Sequence, residues 1–237
     1  MITPSIYRFE EVGSTNDIAL GMAKHGASEG TVILARCQTK GRGRRGRVWV
    51  AKPDESIIMS VVLRPNTPPG RHSELALMAG VAVAECLEQK CNLCPSLKWP
   101  NDVFIDNRKI TGILVESEPR AAIVGIGLNV LQSSFPPELS DTATSVLIEH
   151  GACAEIEALT TAILEHLFST YTLGFEEIRT RWQKYMWGLG SHVDVETENT
   201  VLSGTIIGID YDGALLIDHC GITRRVIAAD AIHLQHK

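Results

Sequence analysis

Lys40-Gly41-Arg42-Gly43-Arg44-Arg45-Gly46-Arg47-Val48-Trp49 places five cations within eight residues, 40–47, with no acid among them. Glycines alternate with the arginines. Glycine lets a ligand approach backbone N–H groups closely, and the planar arginine fork grips phosphate or carboxylate through two hydrogen bonds. The chain around this stretch is acidic, with 22 Lys+Arg against 28 Asp+Glu in 237 residues. The positive charge is therefore a local feature. Taken alone, such a run reads as a solvated surface loop, a concave cradle for a dense anion or a loop that binds nucleic-acid phosphates. It is not a P-loop, because no Gly-Lys-Ser/Thr ending follows.

Working outward, residues 31–37 read as a buried strand that closes at Gln38, directly before the loop. Before it, residues 5–10 alternate as a strand. Ser14 or Thr15 is suited to cap a helix running to about Lys24, with Asp17 adding a favourable charge in its first turn and Gly26 ending it. After the loop, 56–63 is a strong strand and 73–89 the clearest helix, rich in alanine with apolar residues at helical spacing. Residues 97–99 are extended and stopped by Pro100. Residues 103–106 and 109–116 form a hairpin turning at Asp106-Asn107-Arg108. Residues 121–130 are a strand with two internal glycines, which signals close approach of a ligand or neighbouring backbone. A long loop is expected over 131–145, then amphipathic helices over 155–171 and 175–186. Beyond Gly188-Leu189-Gly190 only short strands follow, at 192–197, 201–210, 213–218 and 222–227, with Asp212-Gly213 as a hairpin turn. Two domains are expected: a mixed α+β body over 1–187 and a small β-barrel over 188–237.

Composition narrows the function classes. Hydrophobic residues make up 44% and charged residues 21%, as in ordinary soluble domains. No apolar run is long enough for a membrane span, and the first residues lack a secretory pattern. Six cysteines are sparse for this length, which fits free thiols in a reducing cytoplasm. The aromatic residues are few and do not interleave with the arginines, which weakens a nucleic-acid-binding module. No helix-turn-helix fits ahead of the first strand, so no DNA binding is expected.

Several further motifs bear on chemistry. Lys98-Trp99-Pro100-Asn101-Asp102 sets charged side chains around a rigid proline turn, where Asn101 and Asp102 are also ordinary turn residues. Lys109 follows Asp102 on the next strand, so a hairpin lets the two face one site. Gly125-Ile126-Gly127-Leu128-Asn129 is weak evidence for nucleotide binding, since the helix of a dinucleotide fingerprint is missing. Cys91-x-x-Cys94 has metal-ligand spacing but no second pair, and no protein metal site is expected.

Together these motifs resemble the biotin protein ligases, the biotin–[acetyl-CoA-carboxylase] ligase family. The resemblance rests on Ser14-Thr15-Asn16, Gln38 ahead of Gly41-Arg42-Gly43-Arg44-Arg45-Gly46, Lys98 to Asp102, Arg108-Lys109-x-x-Gly112-Ile113-Leu114 and Gly125-x-Gly127-x-Asn129. These occur in the family's order over residues 14–130, and the tail from about 188 resembles the family's C-terminal barrel by pattern. The implied fold is a mixed sheet with helices packed on it, like class II aminoacyl-tRNA synthetases and biotin–lipoate ligases, followed by a small SH3-like β-barrel. The implied reaction joins biotin to ATP as biotinyl-5′-adenylate, with Mg²⁺, and passes biotin to a lysine of a biotin carrier protein. By resemblance, Arg42, Arg44, Lys109 and Asp102 are catalytic. Ser14, Thr15, Asn16, Gln38, Arg42, Gly43, Arg44, Lys109 and Gly112 would bind biotin. Arg44, Arg45, Trp49, Lys98, Asn101, Lys109, Gly125 and Asn129 would bind ATP and the adenylate. A homodimer is expected by the same analogy. A lipoate or octanoate ligase on a related fold shares the acyl-adenylate logic but is not expected to carry both the arginine loop and Lys98 to Asp102.

Overall fold

A computed structural model describes residues 2–151, 155–197, 200–229 and 231–235. Cys153 lies outside the described residues, and the other five cysteines are free thiols. The first part of the chain runs β1 (Ser5–Val12), α1 (Thr15–Lys24), β2 (Thr31–Gln38), β3 (Ser56–Leu63), α2 (Glu74–Cys91), β4 (Ser96–Lys98), β5 (Asp102–Ile105), β6 (Arg108–Glu118), β7 (Ala121–Asn129), α3 (Val146–His150), α4 (Ile156–Tyr171) and α5 (Phe175–Lys184). The seven strands form one mixed sheet in the order β1-β2-β3-β7-β6-β5-β4. Only β1 and β2 are parallel neighbours.

The interior strand β3 is buried at every position, as its unbroken Ser-Ile-Ile-Met-Ser-Val-Val-Leu requires of a strand covered on both faces. Alternate residues enter different cores. Ile57, Met59, Val61 and Leu63 join the large core under α2, α4 and α5. Val62 joins Ile33, Ile123, Ala19 and Ala23 in a smaller core under α1. The site described below lies on this second face, beyond the N-terminal end of α1.

Local signals account for most element ends. Asn92 closes α2 in the left-handed conformation, at φ 50°. Asp106 and Asn107, at φ 46° and 63°, make the tight turn between β5 and β6. One expectation is corrected: Ser14 stands at the N-cap position of α1, but its hydroxyl makes no capping bond. The 131–145 stretch does more than connect. It runs beside the start of β6, where Lys109 N donates to Thr142 O at 2.7 Å and Thr144 N to Lys109 O at 2.9 Å. It then enters the unanticipated α3, where Ser145 Oγ accepts from Ile148 N at 3.1 Å.

The tail forms β8 (His192–Glu196), β9 (Val201–Ile209), β10 (Leu215–His219), β11 (Ile222–Val226) and β12 (Ala231–Leu234). They make a five-stranded antiparallel sheet in the order β11-β10-β9-β8-β12. The sequence pattern missed β12, whose short Ala-Ile-His-Leu run pairs with β8 far back in the chain. Among the described residues no ladder joins the edge strands β11 and β12. The segment leading into the tail is held at β4, and the tail itself reaches the turn that follows β4. Leu97 N donates to Tyr185 O at 2.7 Å and Trp187 N to Leu97 O at 3.0 Å. Trp99 Nε1 donates to Gly213 O, in the β9–β10 turn, at 2.9 Å.

Candidate active site

Glycines shape the floor of the site. Gly112 on β6 faces Gly127 on β7, and Leu114 faces Gly125. A Cβ on Gly125 would lie 2.3 Å from Asn16 Oδ1, and one on Gly127 would lie 2.5 Å from the Trp49 indole. A Cβ on Gly112 would lie 3.0 Å from the same indole and 3.2 Å from Lys109 Nζ. No larger residue leaves this trough open. Above it is a cavity of about 470 Å³, within the range of small-molecule sites. Trp49 forms one wall, and its buried Nε1 has no hydrogen-bond partner among the described residues.

The arginine loop folds as a narrow hairpin over the cavity. Arg42 bridges Val48, Gly43 N donates to Arg47 O at 2.7 Å, and Trp49 N donates to Gly41 O at 3.1 Å. Arg45 takes a left-handed conformation at the tip, φ 54°. The loop's arginines are not equivalent. Arg42 donates to both Asp17 oxygens at 2.7 Å and lies 3.3 Å from both Glu116 oxygens. The Asp17 bonds hold the Arg42 pKa above its ordinary value and, in turn, hold the Asp17 carboxyl below its own. Arg42 thus fastens the loop to α1 and β6. Arg44 turns inward, where Nη1 donates to the neutral Asn101 Oδ1 at 3.3 Å. Burial, with Arg45 alongside, pushes its pKa down. A desolvated arginine held by an amide favours an added anion. Arg45 and Gly43 also line the cavity.

One end of the cavity is neutral and polar. Ser14, Thr15 and Asn16 are buried. Thr15 N donates to Gln38 Oε1 at 2.7 Å. This fixes the Gln38 carboxamide, leaving its NH₂ directed away from Thr15. The other end is charged. Lys109 Nζ lies 2.7 Å from Asp102 Oδ1, the pairing that the hairpin spacing allowed. Lys98 lies 4.4 Å from the Trp187 ring and 5.2 Å from the Phe104 ring, and burial lowers its pKa. Asn101 Nδ2 donates to Ile113 O at 2.7 Å. Asn129 lines the cavity, yet both ends of its amide are bonded within the protein. It donates to Thr144 O at 3.0 Å and accepts from Gln132 at 3.3 Å.

All the singled-out residues named above as ligand-binding or catalytic line this one cavity. The sequence reading passed over Ser60, Glu116, Thr142 and His233. Ser60 and Glu116 belong to strands that read as structural, and His233 belongs to the missed β12. Among the described residues no group of three or more His, Cys, Asp or Glu is placed to hold a metal ion. No helix among the described residues is long and apolar enough to cross a membrane.

Residues 9–132 match the biotin/lipoate A/B protein ligase family, and residues 188–234 match the biotin protein ligase C terminal domain. The chain is 36% identical over 230 residues to the bifunctional ligase/repressor BirA of Bacillus spizizenii, covering 92% of this chain and 71% of that protein. It is 34% identical over 234 residues to the biotin--[acetyl-CoA-carboxylase] ligase of Mycobacterium tuberculosis, covering 95% and 87%. Its fold is similar to that of the Aquifex aeolicus biotin protein ligase solved with biotin and ATP, with a TM-score of 0.87 at 28% identity over 98% of this chain and 99% of that one. With the glycine trough, the arginine hairpin and the Lys109–Asp102 pair in one cavity, the chain belongs to the biotin/lipoate A/B protein ligase family and, within it, is a biotin protein ligase.

Proposed function

We infer that this chain activates biotin with ATP to biotinyl-5′-adenylate and transfers the biotinyl group to a lysine of a biotin carrier protein. The observation that carries the reading is a single cavity with a neutral hydrogen-bonding end, at Thr15 and Gln38, and a cationic end, at Arg44, Lys98 and Lys109. Biotin has the same polarity, with a neutral ureido ring at one end and a carboxylate at the other. In the first step a carboxylate oxygen bonds to the α-phosphorus of ATP, the α–β bridging bond breaks, and pyrophosphate leaves. Two unit charges about 4 Å apart interact by roughly 4 kcal/mol at an effective dielectric near 20, so like-charged reactants need cations between them. Arg44 and Lys109 supply them from this chain, and Mg²⁺ bound to the phosphates adds charge neutralisation. Ser14, Thr15 and Gln38 bind the ring, while Asn101, Trp49 and Asn129 border the nucleotide. In the second step a lysine amine attacks the acyl carbon and AMP leaves. Asp102, beside Lys109, orients that amine.

The arginine hairpin also encloses a reactive anhydride, which limits hydrolysis and escape. The domain division at 187/188 assigns the chemistry to the body, with the small β domain bordering the site through β12. Pyrophosphate release with ATP and Mg²⁺ tests the reading, comparing biotin with lipoate and octanoate. Biotin-dependent release is expected, and release with lipoate or octanoate but not biotin would overturn it.

A further inference from the structure

The cations around the cavity are not all held in the same way. Arg42 is paired with Asp17 and Glu116, and Lys109 with Asp102 at 2.7 Å. A carboxylate partner fixes a cation but cancels its charge. Lys98 stands on β4 directly across from Asp102 on β5, yet that carboxylate is paired with Lys109. The Lys98 ammonium lies instead 4.4 Å from the Trp187 ring and 5.2 Å from the Phe104 ring, inside the ~6 Å reach of a cation–π contact. The two ring centres are 6.4 Å apart and the rings are tilted by 55°, so the ammonium sits in the corner between them.

Phe104 shares a sheet face with Lys98 by the β4–β5 register and lines the cavity, whereas Trp187 stands outside the lining. Trp187 belongs to the segment that leads into the tail, and it is tied at two points. Its N donates to Leu97 O, one residue before Lys98, at 3.0 Å. Its Nε1 donates to Asn107 Oδ1 at 2.8 Å. Asn107 sits in the β5–β6 turn at φ 63°, a conformation that asparagine tolerates. Backbone and side chain thus set this indole over one lysine. Burial lowers the Lys98 pKa, Asp102 partly offsets this, and Lys109 and Arg47 add to it. The ring faces favour the charged form against those neighbouring cations. They do so with a quadrupole and no formal charge, so the ammonium keeps its charge and its N–H donors for an oxygen ligand. The flexible four-carbon stem is ordered in advance, which spares rotamer entropy when a ligand arrives.

We propose that Trp187 is a positioning residue for the nucleotide: with Phe104 and Asn107 it holds Lys98 without neutralising it and presents the ammonium to the phosphates of ATP. The proposal rests on the placement of the reacting phosphates at the cationic end, given under Proposed function. Lys98 then differs in task from Lys109, whose charge is shared with Asp102.

The test is calorimetric binding of α,β-methylene-ATP with Mg²⁺ to the biotin-loaded full chain. This analogue cannot release pyrophosphate, so variants that turn over poorly remain measurable. Trp187→Leu should weaken the analogue about fivefold, as expected for one lost cation–π contact. Trp187→Phe keeps a ring face and should weaken it only about twofold. Biotin affinity without nucleotide should match the parent's in both. In a Lys98→Met background Trp187→Leu should add nothing, because the cation it serves is gone. Asn107→Gly keeps the left-handed turn and removes only the acceptor, so it should weaken the analogue about twofold. If Trp187→Leu does not fold, Asn107→Gly carries the same test in the same two backgrounds. Parent-like binding of the analogue, an equal loss of biotin affinity, or an undiminished loss in the Lys98→Met background overturns the proposal. Lys98→Met alone separates the two levels: if it binds the analogue like the parent, the placement of the phosphates at Lys98 is itself wrong.

Discussion

Replacing Gly127 by alanine probes the trough directly. The added Cβ would lie 2.5, 2.7 and 2.8 Å from three atoms of the Trp49 indole, where carbon contacts settle at about 3.5–4.0 Å. The indole must therefore retreat by about 1 Å, judged against that contact distance. Gly127 has no left-handed backbone angle, so alanine is unstrained there and the effect is one of contact alone. Overpacking of this kind costs about 1–3 kcal/mol. If that falls on the ligand-ready position of Trp49, kcat/KM for biotin drops about 5- to 150-fold. The assay is pyrophosphate release, with thermal melting as a check on folding. The decisive measurement is a double-mutant cycle with Trp49→Ala. Without the indole the three nearest contacts of the new methyl are gone, so Gly127→Ala should cost little in the Trp49→Ala background. The coupling should approach the whole single-variant loss. An equal fold-loss in both backgrounds would refute the steric account.

Three other outcomes are expected. Arg44→Gly removes the inward-facing cation and part of the cover, so biotinyl-adenylate should leak and label bystander amines; labelling of added albumin checks this, and retention equal to the parent's would count against it. Trp99→Phe leaves the Gly213 carbonyl without its donor and should cost about 1–3 kcal/mol of stability in chemical denaturation, whereas an unchanged midpoint would show that the bond contributes nothing. The Asp17 carboxyl titrates below its ordinary value, so its contribution is present above the unfolded-state pKa and is lost as the pH falls through the lowered folded-state one. The stability difference between the parent and Asp17→Asn should therefore be constant near neutrality and shrink below about pH 4, with a difference independent of pH as the contrary result.

The sequence was most legible where period and punctuation agree. The unbroken apolar run of β3, the alanine-rich α2 and the Asp106-Asn107 turn each follow from local rules, and each is present. The charged end of the site was legible because Asp102 and Lys109 stand on neighbouring strands of a short hairpin. What escaped was set by distant partners. The four residues of β12 are too short for a periodic signal and become a strand only by pairing with β8. Ser14 reads as a cap, but its hydroxyl makes no capping bond. Arg42 and Arg44 look alike in the sequence. Asp17 and Glu116, supplied from α1 and β6, make one a fastener and leave the other turned inward.

The bond from Trp99 to Gly213 also bears on how the gene can be divided. Gly213 is seated against the body, with Leu77 and Phe175 as the first side chains an added Cβ would meet. One continuous apolar core runs from Leu77 and Trp99 through Val193, Ile206 and Leu215. The peptide near residue 188 is thus the thinnest part of a junction held mostly by non-covalent contacts. A chain split there into two polypeptides would form a complementation pair, each half completing the other's core. Co-expressed halves would reassemble the ligase, and a reporter placed on each would record their meeting as biotin attached to a carrier.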